Sequence, residues 1–190
     1  MRPLALLALV SFATGCAVPS TASRDLVRAQ EAADAGHART ALHLYRAAAR
    51  GGSLEAQMHL VGEGQRGAQT WSERLFSPRP DRAESARWSR AAWATASRLA
   101  AAGRPEGHLA LASFAYFGPD LSRYSSERDP QGDAVARRHL HAALDAGSAE
   151  AALRLGQLAW FGESPLTAVP HYRRAARMGA AEAHTALAAL

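Results

Sequence analysis

The chain has 190 residues, 48% of them hydrophobic, and a formal net charge of +5 at pH 7. This apolar content excludes a disordered chain, and the absence of isoleucine beside abundant alanine, leucine and arginine excludes a sheet-based fold, because β-branched residues favour strands. The arginines form no block of five like charges and no nucleic-acid-binding motif is present, so we expect solvated helix faces and no nucleic-acid partner.

The amino terminus has the layout of a secretory signal peptide. The apolar run Leu4–Phe12 is too short to span a bilayer as a permanent helix, and small residues then precede Cys16, the single cysteine of the chain. The stretch resembles a bacterial lipoprotein signal, which implies cleavage before Cys16, lipid attachment there and, from Ala17, sorting to the outer membrane. The alternative is an ordinary signal peptide with an incidental cysteine. We interpret residues 1–15 as the leader and residues 16–22 as a lipidated tether.

The rest of the chain, residues 23–190, is predicted to be one helical domain. Apolar residues recur at helical spacing, and glycine or proline interrupts them. The predicted helices span about 23–35, 38–50, 54–63, 81–102, 105–117, 133–146, 149–161, 166–178 and 181–190. Two long connections, 64–80 and 118–132, stand between them, and connections of this length often carry function.

A five-residue pattern occurs four times: glycine, two variable residues, glutamate and a small residue. The glycines are Gly52, Gly103, Gly147 and Gly179, and they stand 51, 44 and 32 residues apart. Each glycine is expected to end a helix at a positive φ, and each glutamate to lie in the first turn of the next helix, where the helix dipole favours an anion. The pattern therefore predicts a tight αα-hairpin, used repeatedly.

The repeated unit resembles the Sel-like repeat, a relative of the tetratricopeptide repeat. The best copy, Ala149–Ala183, has matching residue types at Leu155-Gly156, Trp160-Phe161-Gly162 and Tyr172, and the resemblance covers roughly residues 29–190. It implies an all-α fold, a short right-handed solenoid of αα-hairpin repeats over residues 23–190. The uneven spacing of the glycines indicates that two repeats carry insertions, and both insertions are expected on one side of the array.

No constellation of reactive groups accompanies these repeats. The eight histidines include no HExxH spacing, the sequence holds no G-x-S-x-G elbow, and without lysine it has no P-loop. His139 and His171 occupy equivalent repeat positions and are interpreted as repeat variation. We expect no catalytic residue, no cofactor and no metal site, and hence no enzyme.

Four aromatic residues are candidates for contacting a partner. Trp71 and Phe76 lie in the first long connection, Tyr124 lies in the second, and Trp88 lies on the long helix between them. Trp88 and Trp93 are five residues apart and diverge by about 140° on a helix, so one is expected to face inward and the other the long connections. For Trp71 two roles stay open, anchoring a partner or pinning its own loop.

These features together predict a binding protein of the cell envelope. We expect an outer-membrane protein, anchored by lipid and facing the periplasm, that scaffolds or localises a complex by binding an envelope protein. The resemblance implies the processes in which Sel-like lipoproteins act, exopolysaccharide export and assembly of secretion machinery. The alternative is a module that binds polysaccharide or peptidoglycan through arginines and through Trp71, Tyr124 and Trp88.

Overall fold

All regular structure in the described part of the chain is helical. The structure, a computed structural model, describes residues 20–65, 82–118, 130–162 and 164–190. Nine helices and no strand occur in these ranges: α1 Thr21–Asp34, α2 Ala38–Arg50, α3 Leu54–Gln65, α4 Arg82–Ala101, α5 Pro105–Phe117, α6 Pro130–Asp145, α7 Ala149–Gly162, α8 Pro165–Arg177 and α9 Ala181–Ala188.

The helices lie where the sequence predicts them. The largest difference is at the start of α6, which begins at Pro130 rather than near residue 133; proline is tolerated there because the first residues of a helix need no intrahelical N–H donor. Helix α1 begins at Thr21, inside the predicted tether, because the Ser20 hydroxyl caps it by accepting the Ser23 N–H at 3.1 Å. The leader and most of both long connections lie outside the described residues.

The predicted role of the repeated glycines is confirmed. At Gly147, φ is +90°; its N–H donates to the Leu144 carbonyl at 3.0 Å, and the Ser148 N–H donates to the Ala143 carbonyl at 3.0 Å. This pair of hydrogen bonds is a Schellman motif, which satisfies the last carbonyls of a helix. The same geometry recurs at Gly36, Gly52, Gly103 and Gly179. One turn is therefore used five times in the described chain.

The hydrophobic core runs along the chain as three clusters. The first joins α1, α2 and α3, the second joins α4 and α5, and the third extends from α5 to α9. Alanine and leucine make up most of the buried positions, so neighbouring helices approach closely. Helix α9 packs on α8 through Ala183, which is fully buried. Within the described ranges, no helix is both long and apolar enough to cross a membrane.

Polar contacts also join helices that are two apart in chain order. Gln30 Nε2 on α1 donates to Glu55 Oε1 on α3 at 2.8 Å. Arg46 Nε on α2 donates to Glu84 Oε1 on α4 at 2.7 Å. Arg154 Nη1 on α7 donates to Ser113 Oγ on α5 at 2.9 Å. At these places a helix contacts both the next helix and the one after it.

Candidate protein-binding surface

Trp88 is the one candidate contact residue that the structure describes, and its side chain is already engaged. It is partly buried, packs against the first core cluster, and its Nε1–H donates to Glu84 Oε1 at 3.1 Å. Trp71, Phe76, Tyr124 and the lipidation candidate Cys16 lie outside the described residues. Trp88 therefore supports the junction of α2 and α4.

Trp93 faces the other way on the same helix. It is 50% exposed, and its ring meets Phe114 of α5 at a centroid distance of 5.5 Å and an interplanar angle of 58°. The partly buried Trp88 and the half-exposed Trp93 thus show the divergence that their spacing predicts. One side of the Trp93 ring is supported by the protein while the rest is in contact with solvent.

Exposed aromatic rings also lie at the carboxyl-terminal ends of two helices. Phe117 closes α5 and is 40% exposed, and Phe161 lies at the end of α7 and is 70% exposed. Each follows an aromatic residue that is only partly exposed, Tyr116 or Trp160, which packs against the third core cluster. Sequence reasoning assigned both pairs to the repeat pattern and missed this exposure. The signal was present, because adjacent helical residues diverge by about 100° and only one of a pair can face the core.

A bidentate ion pair fixes α2 against α4. Arg46 donates two hydrogen bonds to the Glu84 carboxylate, from Nε at 2.7 Å and from Nη2 at 2.5 Å. The hydrogen bond from Arg46 is the main reason that the pKa of Glu84 lies below its ordinary value; burial opposes this, and the bond from Trp88 adds to it. The pair stabilises a contact between helices that are distant in sequence.

Two histidines meet between α5 and α6. His108 Nδ1 and His139 Nδ1 are 3.2 Å apart, so one nitrogen donates and the other accepts. Burial, followed by the nearby His108 and Arg138, lowers the pKa of His139. Burial thus favours the neutral imidazole at position 139, and the hydrogen bond requires one of the two Nδ1 atoms to be an unprotonated acceptor. Across the described residues, no three or more histidine, cysteine or acidic residues group so as to hold a metal ion.

Charge is divided between the even- and odd-numbered helices. Helices α2 and α8 each carry three arginines and no acidic residue, and α4 carries four arginines and one glutamate. By contrast, α3, α5 and α9 carry acidic residues and no arginine, and α7 has one of each. Helices α1 and α6 are mixed. The linear sequence shows no charge block, because the short helices alternate along it.

The described surface thus offers exposed aromatic rings at helix ends and helices of contrasting charge. Comparisons with protein-family models, curated proteins and solved structures found no match.

Proposed function

We propose that this protein is a lipid-anchored scaffold of the cell envelope that binds a partner protein through a short right-handed solenoid of Sel-like αα-hairpin repeats. The observation that carries the proposal is the set of polar contacts between helices two apart, Gln30–Glu55, Arg46–Glu84 and Arg154–Ser113. In a solenoid each repeat contacts only its neighbours, and such contacts between successive repeats are what stacking requires.

In this architecture the odd-numbered helices form one layer and the even-numbered helices form the other. Four of the five Schellman turns, at Gly52, Gly103, Gly147 and Gly179, join an even-numbered helix to the next odd-numbered one, and this common connection favours a regular stack. The buried small residues after the turns, Ala56, Gly107, Ala151 and Ala183, allow the helices of neighbouring repeats to approach. The result is an extended surface with no need for a deep pocket.

The partner would contact the carboxyl-terminal ends of the odd-numbered helices. Phe117 and Phe161 occupy equivalent positions in two repeats, so a solenoid presents both rings on the same side. The long connections that contain Trp71, Phe76 and Tyr124 begin at this side too, directly after the ends of α3 and α5. Large aromatic side chains often supply most of the binding energy at protein interfaces.

Attachment of lipid to Cys16 would hold the scaffold at the periplasmic face of the outer membrane. Each buried CH₂ contributes about 0.8 kcal/mol, so several acyl chains give stable anchoring. Exopolysaccharide export and secretion-complex assembly are the processes that the Sel-like resemblance suggests. If Cys16→Ser left acyl labelling and membrane fractionation unchanged, the anchor would be rejected.

Site-specific photocrosslinking in intact cells tests the binding surface. A photoreactive residue at Phe117 or Phe161 should give the same single envelope adduct, whereas one at Val27, an exposed apolar residue of α1, should not. Phe161→Ala should weaken capture of that adduct at least tenfold, since loss of an aromatic anchor removes more than about 1.4 kcal/mol. Absence of an adduct from both aromatic positions would reject the proposed surface.

A further inference from the structure

We infer that the solvent face of α2, α4 and α8 is a basic surface that lies against the anionic phospholipid headgroups of the membrane. The inference rests on the proposed solenoid and lipid anchor, and it adds a second contact between protein and membrane. The partner protein would then bind the other layer, where Phe117 and Phe161 end α5 and α7.

The arginines of this surface are exposed and are not used in the ion pairs found between described residues. Those ion pairs engage Arg46, Arg104 and Arg154. The exposed arginines of the basic surface are Arg39, Arg50, Arg82, Arg87, Arg90, Arg98, Arg173, Arg174 and Arg177. Arg87 also interacts electrostatically with Glu84. The described contacts leave the positive charge of the other eight arginines available to an external anion.

Their placement on each helix is ordered. On α4, Arg87, Arg90 and Arg98 fall within an arc of about 80° at 100° per residue, which makes a stripe along the helix. On α8, Arg173, Arg174 and Arg177 fall within an arc of about 100°. Arg174 and Arg177 lie in the last turn, where the helix dipole also favours cations. The ion pair between Arg46 and Glu84 places α2 beside α4, so their exposed faces adjoin.

The opposite layer carries the opposite sign. Glu55, Glu150 and Glu182 are exposed on α3, α7 and α9, and the arginine of α7, Arg154, is paired with Glu150 at 2.7 Å. In the proposed solenoid the layer of α2, α4, α6 and α8 therefore has a net positive charge, to which the mixed helix α6 adds none, because its two arginines are matched by Asp133 and Asp145. A broad positive face is suited to a broad anionic surface.

The length of the tether selects the membrane as that surface. Five residues lead from Cys16 to the first helical residue, Thr21, and can span at most about 18 Å. Helix α2 packs directly on α1, so an acylated Cys16 would keep the first basic helix close to the headgroups. Attraction of arginines to anionic lipid acts within a Debye length, about 10 Å at 0.1 M salt.

A competition between two kinds of vesicle isolates this contribution. The purified full chain would be mixed with equal amounts of two kinds of vesicle, each labelled with a different fluorescent dye. One kind is phosphatidylcholine alone, and in the other three parts in ten are phosphatidylglycerol. The lipid anchor inserts into both kinds of vesicle. The ratio of protein bound to anionic vesicles to protein bound to phosphatidylcholine vesicles therefore reports only the contribution of charge to binding. Attraction of one arginine to an anionic surface raises the binding constant about fivefold. We therefore expect the wild type to favour the anionic vesicles at least tenfold.

The variant R173Q/R174Q/R177Q should lower that ratio at least fivefold, and 0.5 M salt should abolish the preference. The matched control R173K/R174K/R177K keeps the charge and should keep the ratio. A second control, E150Q/E182Q, changes the opposite layer and should leave the ratio unchanged. Circular dichroism verifies that every variant retains its helices.

Three outcomes would overturn the inference: no preference of the wild type for anionic vesicles, loss of the preference in the lysine variant, or an arginine-dependent interaction with an acidic polysaccharide such as polygalacturonate in place of the vesicles. None of these depends on the partner adduct at Phe161. A failed anchor would appear separately, as weak binding of the wild type to both kinds of vesicle.

Discussion

Gly156 of α7 lies directly against the ring of Tyr172 of α8, and a Cβ added to it would come within 2.5 Å of both Cδ1 and Cε1. The ring is itself buried, so it has little room to move. This contact shows why a glycine stands in the interior of a helix, where it is otherwise unfavourable. The contact limits how closely α7 and α8 approach each other.

Gly156→Ala should destabilise the fold. Overpacking typically costs about 1–3 kcal/mol, which exceeds the gain of about 1 kcal/mol in helix propensity. Urea denaturation followed by circular dichroism measures the change in the free energy of unfolding. Gly62→Ala on α3 is the matched control, because an added Cβ there meets nothing within 4 Å, and this variant should be neutral or more stable. Equal effects of the two substitutions would reject the packing explanation.

Gly147→Ala should also destabilise the fold, for a different reason. An added Cβ meets nothing within 4 Å, but φ is +90°, a conformation that side-chain-bearing residues rarely adopt. The expected cost is about 1–2 kcal/mol, measured by the same denaturation. Replacement of Gly147 by D-alanine in a semisynthetic chain should restore stability, since the D-residue accepts positive φ. Failure of that rescue would show that the cost is not conformational.

Glu84 should make stability dependent on acid pH. Its pKa is lowered in the folded state, first by the hydrogen bond from Arg46, so its stabilising contribution is full above the ordinary glutamate pKa and is lost as pH falls through the lowered value. Glu84→Gln should therefore reduce stability at pH 7 and flatten the pH dependence below about 4.5. The control Glu182→Gln removes an exposed carboxylate of α9 and should leave the pH dependence of stability in this acid range unchanged.

His139 should add a second pH dependence at higher pH. Because burial lowers its pKa, the unfolded chain binds the proton more readily, and stability falls as pH drops below about 6.5 until the lowered folded-state pKa is reached. His139→Gln should remove this slope in denaturation curves measured between pH 5 and pH 7.5. His43→Gln, at an exposed position of α2, should retain it. If the slope persists in His139→Gln, the pH dependence of stability comes from another group.

The helices and turns of the described chain follow from local sequence. A glycine with a free choice of φ, a capping serine such as Ser148 and apolar residues at helical spacing act within a few residues of one another, and so the sequence alone locates them. The outward direction of Phe161 was also readable, from its place beside Trp160. These features need no knowledge of which helix packs where.

The relationships that matter for function required the tertiary structure. Arg46 and Glu84 are 38 residues apart in the sequence, and His108 and His139 are 31 apart. No local sequence pattern predicts either contact. Packing also brings charged helices that are distant in sequence side by side, as the contact between Arg46 on α2 and Glu84 on α4 shows. Local sequence decides where this protein is helical and where it turns, because those choices depend on nearby residues. Tertiary packing decided which arginines, aromatic rings and histidines contact one another and which are exposed to solvent, because packing brings together residues that are distant along the chain.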